Sequence, residues 1–256
     1  MKISIVTVSF NAAEFIQDNL QSVSGQDFNN IEHIVIDGGS TDGTVDIVRK
    51  SGQHVAKFIT EPDRGIYDAM NKGIFMTSGD VIGTLNADDV YADDTILSQV
   101  ADIFSDSTVD VCYADLLYVD RYDSSKVVRY WTSCNYRKGL FEKGWMPAHP
   151  TFFVRRRIYE QFGGFDLQFS RQADFELTMR FLAVNKAKAV YIPKIWIKMR
   201  TGGISNNSLI GIVKGNIEAY YACRKNNLRV QMVVFILHKV CSRIPQFFNR
   251  PTIPVG

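Results

Sequence analysis

Four short, mostly apolar runs, each ending in a polar cluster, constrain this chain most. Ile3–Val8 leads into Ser9–Asn11, Ile31–Ile36 into Asp37–Asp42, Val55–Thr60 into Glu61–Arg64, and Val81–Leu85 into Asn86–Asp89. The near-continuous β-branched run Ile3–Val8 reads as a strand buried on both faces of a parallel sheet, and the other three runs read as further strands. The intervening segments have helical spacing. Ile16, Leu20 and Val23 share one face behind a predicted Asn11/Glu14 capping box, a second helix runs to about Lys50 with Gly52 as its stop, and others are predicted over Ile66–Thr77 and Asp93–Phe104. Repeated strand–helix units imply right-handed crossovers and a mostly parallel sheet flanked by helices. In such sheets ligands sit outside the carboxyl ends of the strands, so all four polar clusters are predicted to gather along one edge.

The second half is less regular. Val109–Val119 and Lys126–Trp131 read as a strand pair, residues 132–147 have no clear period, and Thr151–Arg155 is a strand. Ile158–Phe162 is a short helix stopped by Gly163-Gly164. A helix over Asp174–Asn185, strands over Ala187–Ile192 and Ile195–Arg200, and a helix over Leu209–Asn227 complete the pattern.

A length of 256 residues suits one large domain with a small extension. The net charge of +2 offers no support for bulk nucleic-acid binding. Cys112, Cys134, Cys223 and Cys241 are widely spaced with no C-x-x-C pair, which argues against zinc and against a disulfide framework. Ser4, Thr7 and Ser9 interrupt the N-terminal apolar run, so it reads as a strand and not a secretory leader. No stretch approaches the ~20 apolar residues of a membrane span. The predicted location is cytoplasmic, with the inner face of the cell membrane as an open alternative.

Several clusters could carry chemistry. Asp88 and Asp89 repel unless a cation or protons neutralise them, and Mg²⁺ or Mn²⁺ takes few protein oxygens together with substrate phosphates. Turn and cap chemistry before the next helix is the competing reading. Asp37 with Gly38, Gly39 and Gly43 could cradle phosphate or could be only a turn, and neither the dinucleotide nor the P-loop fingerprint is present. Asp174 could cap a helix or act as a general base. His149 could bind substrate or be structural.

Taken in order, Val6-Thr-Val-Ser-Phe-Asn11, Ile36 to Thr44, Glu61 to Gly73, Leu85-Asn-Ala-Asp-Asp89, His149 to Arg155, Gly163-Gly-Phe-Asp166, Ala173-Asp174 and Gly202 to Ser205 resemble the family 2 glycosyltransferases, especially those that build bacterial surface polysaccharides. The resemblance spans roughly residues 1–206. It implies a GT-A fold and an inverting transfer from a nucleotide-sugar donor, UDP first, to an acceptor hydroxyl on a lipid-linked saccharide. Thr7, Val8, Ser9, Asp37 and Asp63 would hold the nucleoside, and Arg64 and Asn71 would line the same pocket. The Asp-x-Asp metal motif falls on Asn86–Asp89, where Asn86 departs from the pattern. That leaves Asp88 as the first ligand for Mn²⁺ or Mg²⁺, Asp89 as the alternative, and Asn86 as a ribose or diphosphate contact. The Glu-Asp motif becomes Ala173-Asp174, and Asp174 keeps the role of base. His149 would contact acceptor or donor sugar.

The expected organisation is a catalytic domain over 1–206, with a nucleotide-binding half (1–105) and an acceptor-binding half (106–206), and a helical extension over 207–256. From Ala219 onward there are six Lys/Arg and no Asp or Glu. Val233, Ile236, Leu237, Val240, Ile244 and Phe247 share a helical face flanked by Lys239 and Arg243. Residues 229–248 therefore read either as an interfacial helix on anionic lipid or as a helix packed on the domain. Two further functions stay open. A nucleotidyltransferase would share the acidic α/β core, although Ser9-Phe-Asn-Ala12 stands where its glycine-rich start would be. A non-catalytic nucleotide-sugar binding module would suit Asn86 and Ala173.

Overall fold

The computed structural model describes residues 1–202 and 209–248. Gly203–Ser205 of the last resembling segment and the expected boundary at 206 lie outside the described residues. Strand β1 (Ile3–Ser9) is buried along its whole length, as its apolar run requires. It sits between β2 (Ile31–Asp37) and β4 (Val81–Asn86), both parallel to it, and β3 (Val55–Thr60) adds parallel to β2. The sheet continues through β8 (Phe153–Arg155), β6 (Val111–Val119), β9 (Ala189–Arg200) and the two-residue β5 (Val90–Tyr91), with β7 (Val127–Trp131) paired to β6 as the predicted hairpin.

That order forces a curl. β4 and β5 lie four strand steps apart in the sheet but are joined by only Ala87, Asp88 and Asp89. Strands spaced about 4.8 Å apart would put them roughly 19 Å from each other in a flat sheet, while the chain from Asn86 to Val90 reaches only about 14 Å. The sheet therefore bends until its far edge returns beside β4.

Helices α1 (Ile16–Ser24), α2 (Thr44–Ser51), α3 (Ile66–Met76) and α4 (Ile96–Ile103) follow their strands. α3 lies so close to β1 that a Cβ at Gly73 would stand 2.2 Å from Val6 Cγ1. The Asn11/Glu14 capping box does not form. Asn11 takes a left-handed φ of 48°, which Asn tolerates, and its side-chain oxygen accepts from the Thr41 amide at 3.0 Å. Helix α1 starts about one turn later than predicted and has no side-chain cap.

Two expected strands over 187–200 are one. β9 passes through exposed Pro193, which removes a ladder donor, and the register against β6 slips between Tyr113 and Asp115 to absorb it. The expected helix over 174–185 is α6 (Ala173–Met179) followed by a wider π turn over Arg180–Val184. Helix α5 (Arg156–Phe162) stops at Gly163, whose φ is 81°.

The extension consists of α7 (Leu209–Lys225), α8 (Met232–Cys241) and a 3-10 turn over Ile244–Phe247. Ala219, Ala222, Cys223 and Phe235 are buried in the same cluster as Val6, Val8 and Phe175, so both halves and the extension share a core. The single amphipathic helix expected over 229–248 breaks after Cys241, and its polarity differs from the sequence pattern. Phe235 and Lys239 turn inward, with Lys239 only 3% exposed, while Val233, Leu237, Ile244 and Phe247 remain exposed. Gly144 makes room for the inward lysine, since a Cβ there would stand 2.8 Å from Lys239 Cβ. Among the described residues, all four cysteines are free thiols and no helix is long and apolar enough to cross a membrane.

Candidate active site

The strand-end clusters converge as predicted. The Gly38 amide donates to Ser9 O at 2.8 Å, the Ala87 amide to Val8 O at 3.2 Å, and the Glu61 amide to Asp37 O at 3.0 Å. These bonds lace the exits of β1, β2, β3 and β4 into one rim. Val8 thus serves through its backbone. Thr7 sits one layer below, fully buried, its hydroxyl bonded to Asn19 Oδ1 at 3.0 Å and to His33 Nε2 at 2.9 Å. Its side chain supports the rim and does not face the pocket.

Asp37 is also fully buried. Ser9 Oγ, Ser40 Oγ, the Gly39 and Ser40 amides and Thr60 Oγ1 all donate to its carboxylate, at 2.5–3.1 Å. Burial alone would raise this carboxyl, but the Ser40, Thr60 and Ser9 donors hold it below the usual range. Asp37 therefore builds the turn in its ionised form. Asp63 accepts from the Gly65 amide at 2.8 Å and crowds Gly38, where a Cβ would lie 2.5 Å from its Oδ2. It is the carboxylate of this group that remains half-exposed at the rim.

Two expected pocket residues are placed elsewhere. The Arg64 side chain is 78% exposed and pairs with Asp68 at 2.8 Å. Asn71 uses both ends of its amide on the backbone of Phe165, donating to the carbonyl at 2.8 Å and accepting from the amide at 2.7 Å. It clamps α3 to the segment after α5.

In the Asn86–Asp89 loop the two carboxylates separate. Asp89 is fully buried and accepts from Asn86 Nδ2 at 3.0 Å. Burial, then the neighbouring Asp88, push its carboxyl well up. Asp88 is half-exposed, and among the described residues no other side chain donates to its carboxylate. Asn86 Oδ1 and Asp89 Oδ1 are buried without a partner. Among the described residues no group of three or more His, Cys, Asp or Glu could hold a metal. One accessible carboxylate beside partnerless oxygens fits an ion that takes most of its ligands from diphosphate and water. Asn19, on α1, holds the loop by donating to the carbonyls of Asn86 (2.8 Å) and Asp89 (3.0 Å). Sequence reasoning missed it, although a polar residue among the apolar positions 16, 20 and 23 was a usable signal.

Across the sheet, Asp174 lies in the first turn of α6, not at its cap. Its Oδ1 accepts from Tyr67 Oη at 3.2 Å and from the Phe175 amide at 2.8 Å. His149 Nδ1 lies 3.1 Å from Oδ2, off the line of a hydrogen bond. Burial pushes the imidazole pKa down, partly offset by Asp174, so the ring is neutral at pH 7. The rings of Trp131 and His149 meet in an edge-to-face arrangement, centroids 6.3 Å apart. Burial, then Asp174, hold the Tyr67 phenol well above its usual range, as a proton donor. Tyr67 falls inside the resembling Glu61–Gly73 segment but carried no separate signal. A buried carboxylate poised by a neutral donor and a neutral imidazole can accept a proton from a hydroxyl.

Comparisons with known proteins agree with this geometry. The model for Glycosyl transferase family 2 matches residues 4–163. An uncharacterized glycosyltransferase of Mycobacterium tuberculosis is 31% identical over 217 residues, covering 84% of this chain and 81% of the relative. A PGL/p-HBAD biosynthesis glycosyltransferase of the same species is 28% identical over 181 residues, 69% and 68% of the two chains. Among solved structures, S. aureus TarS in complex with UDP is 16% identical with a TM-score of 0.64, over 93% of this chain and 70% of that one. The mannosyltransferase PcManGT of Pyrobaculum calidifontis, in complex with GDP-Man and Mn²⁺, is 18% identical with a TM-score of 0.65, over 93% and 68%. The curled, helix-flanked sheet is the GT-A fold of these neighbours.

Proposed function

The chain belongs to glycosyl transferase family 2, and on that premise we propose that it is an inverting, metal-dependent transferase acting from a nucleotide-sugar donor onto an acceptor hydroxyl. The observation that carries this reading is the pairing of two sites. A laced rim of strand ends bears Asp63 and Asp88, and a separate carboxylate, Asp174, is poised by Tyr67 and His149. UDP is the favoured nucleotide, supported by TarS, which is solved with UDP and UDP-GlcNAc; GDP is the alternative raised by PcManGT.

In the proposed reaction the acceptor oxygen attacks the anomeric carbon and its proton passes to Asp174. The bond from that carbon to the diphosphate breaks, and its electron pair leaves with the nucleoside diphosphate. Tyr67 fixes the carboxylate through Oδ1, leaving Oδ2 to face the incoming hydroxyl beside His149. Asp88 would hold Mn²⁺ or Mg²⁺, with Asn86 beside it; such an ion supplies neutralisation of the diphosphate charge. Ser9 and Asp37 shape the floor under the nucleoside, and Asp63 is the rim carboxylate left to contact it.

The acceptor is proposed to be a lipid-linked saccharide of a bacterial surface glycoconjugate, in keeping with the PGL/p-HBAD relatives. Exposed Val233, Leu237, Ile244 and Phe248 beside the acid-free tail support contact with an anionic membrane at its cytoplasmic face. Sedimentation with anionic liposomes tests that contact; equal sedimentation of a chain ending at residue 230 would remove it.

The deciding experiment is nucleoside-diphosphate release from UDP-, GDP- and dTDP-sugars, with and without Mn²⁺ or Mg²⁺, beside Asp174→Asn. Metal-dependent release from one donor, lost in the variant, is expected. Undiminished release in Asp174→Asn would overturn the assignment of the base. Donor binding without release, even with membrane lipid extract present, would favour a binding module.

A further inference from the structure

Three cations near Asp174 form no close ion pair among the described residues. Lys239 is buried, and its Nζ donates to the neutral Gln172 Oε1 at 3.0 Å between the rings of Phe175 (5.3 Å) and Phe235 (5.7 Å). Arg129, on β7, donates from Nε (2.9 Å) and Nη2 (2.5 Å) to the neutral Gln246 Oε1. Its guanidinium lies over Tyr118 (4.8 Å), Trp131 (5.5 Å) and Phe247 (5.5 Å). Arg243, one turn after Lys239, is near enough to repel both. Among the described residues none of the three forms an ion pair, whereas Arg121, Arg180, Arg200 and Lys225 pair with Glu14, Glu176, Asp18 and Asp166. Burying like charges together without an anion is costly and is tolerated where a ligand brings one. Burial, then Arg243, hold the Lys239 ammonium down at about 7 against the pull of Asp174.

The cluster borders the base. Gln172 and Phe175, which hold Lys239, flank Asp174 in α6, and Trp131, under Arg129, meets His149 at 6.3 Å. Its residues come from β7 and the C-terminal elements, which contribute none of the strand-end loops that form the donor rim. We propose that Arg129, Lys239 and Arg243 bind a phosphate carried by the acceptor, next to the hydroxyl that Asp174 deprotonates. This rests on the transferase reading above. The same helix that turns Lys239 inward leaves Val233 and Leu237 exposed, which suits an acceptor whose phosphate joins a sugar to a long apolar chain.

The test uses the full chain with farnesyl diphosphate as the acceptor-side probe, farnesol as its uncharged control and UDP as the donor-side probe. Wild type is expected to bind farnesyl diphosphate and not farnesol. Lys239→Gln and Arg243→Gln should each weaken that binding by about tenfold or more, the loss expected for one charge-assisted contact. UDP affinity should be unchanged, and Lys239→Arg should retain most binding. Arg243 is only half-buried, so its variant decides the matter if Lys239→Gln fails to fold. The proposal is overturned if wild type does not bind farnesyl diphosphate, if both variants bind it normally, or if UDP affinity falls by the same factor, which would assign the cations to the donor diphosphate. Binding with the expected variant losses, but no nucleoside-diphosphate release from any donor, would keep the anion site and sink the transferase reading.

Discussion

The phenol of Tyr67 and the carboxylate of Asp174, 107 positions apart in the chain, meet at 3.2 Å. α3 thus delivers a proton donor to a carboxylate on α6, and the two form one unit. Tyr67→Phe is expected to lower kcat by roughly tenfold, the effect of losing one hydrogen bond to a charged group. Asp174→Asn should cost about 10³-fold, in the range of a lost general base. Donor affinity by calorimetry should stay unchanged in both. A fall in donor affinity comparable to the fall in rate would move Asp174 to a binding role.

Asn19→Ala removes both donors that hold the carbonyls of Asn86 and Asp89. Leaving buried acceptors unsatisfied should destabilise the fold by about 2 kcal/mol. The specific consequence is a rise in the Mn²⁺ concentration needed for half-maximal release, because Asp88 loses its fixed loop. Asp88→Asn should shift that concentration further with little change in melting temperature. An unchanged metal requirement in both variants would exclude this loop as the metal site.

Asn71→Ala separates two roles for one residue. With both amide ends on Phe165, its loss should cost roughly 2 kcal/mol of stability and leave donor affinity within about twofold. Urea unfolding and UDP titration read the two quantities. The reverse pattern would return Asn71 to the nucleotide pocket.

Acid should destabilise the protein through its buried histidines before Glu32 titrates. Burial, then His54, hold His33 down at about 3, and burial also lowers His54 and His149. Above the unfolded value near 6.5 each ring is neutral in both states and contributes no pH dependence. As pH falls below that value the unfolded chain binds protons that the folded chain refuses, so stability is lost, by up to about 1.4 kcal/mol per pH unit for each ring. Urea unfolding between pH 7 and 5 should show this loss, and His33→Gln should reduce the slope. An unchanged slope in His33→Gln would contradict the buried neutral ring. Below about pH 4.5, Glu32, held at about 2 against its burial by Ser4 and Ser78, adds a loss of the same sign.

Much of the donor rim was legible because buried parallel strands are written as β-branched runs, and their polar exits need only the strand order to converge. The role proposed for Asp174 rests on resemblance in the sequence, since nothing near it there distinguishes a base from a helix cap. Tyr67 and Asn71 were harder, because each owes its role to a partner roughly a hundred residues away. The period of the tail placed Lys239 on the flank of an apolar stripe and left open whether that stripe meets lipid or the domain. The space beside Gly144 and the oxygen of Gln172, which turn Lys239 inward, leave no trace in residues 229–248.

The three residues between β4 and β5 have a mechanical consequence. They tether β4, inside the sheet, to β5 at its far edge, across a sheet bent nearly onto itself. A slack linker would let those two strands move independently; this one is too short to give. Any shift of β9 that carries β5 with it therefore pulls on Asp88, which lies in that tether.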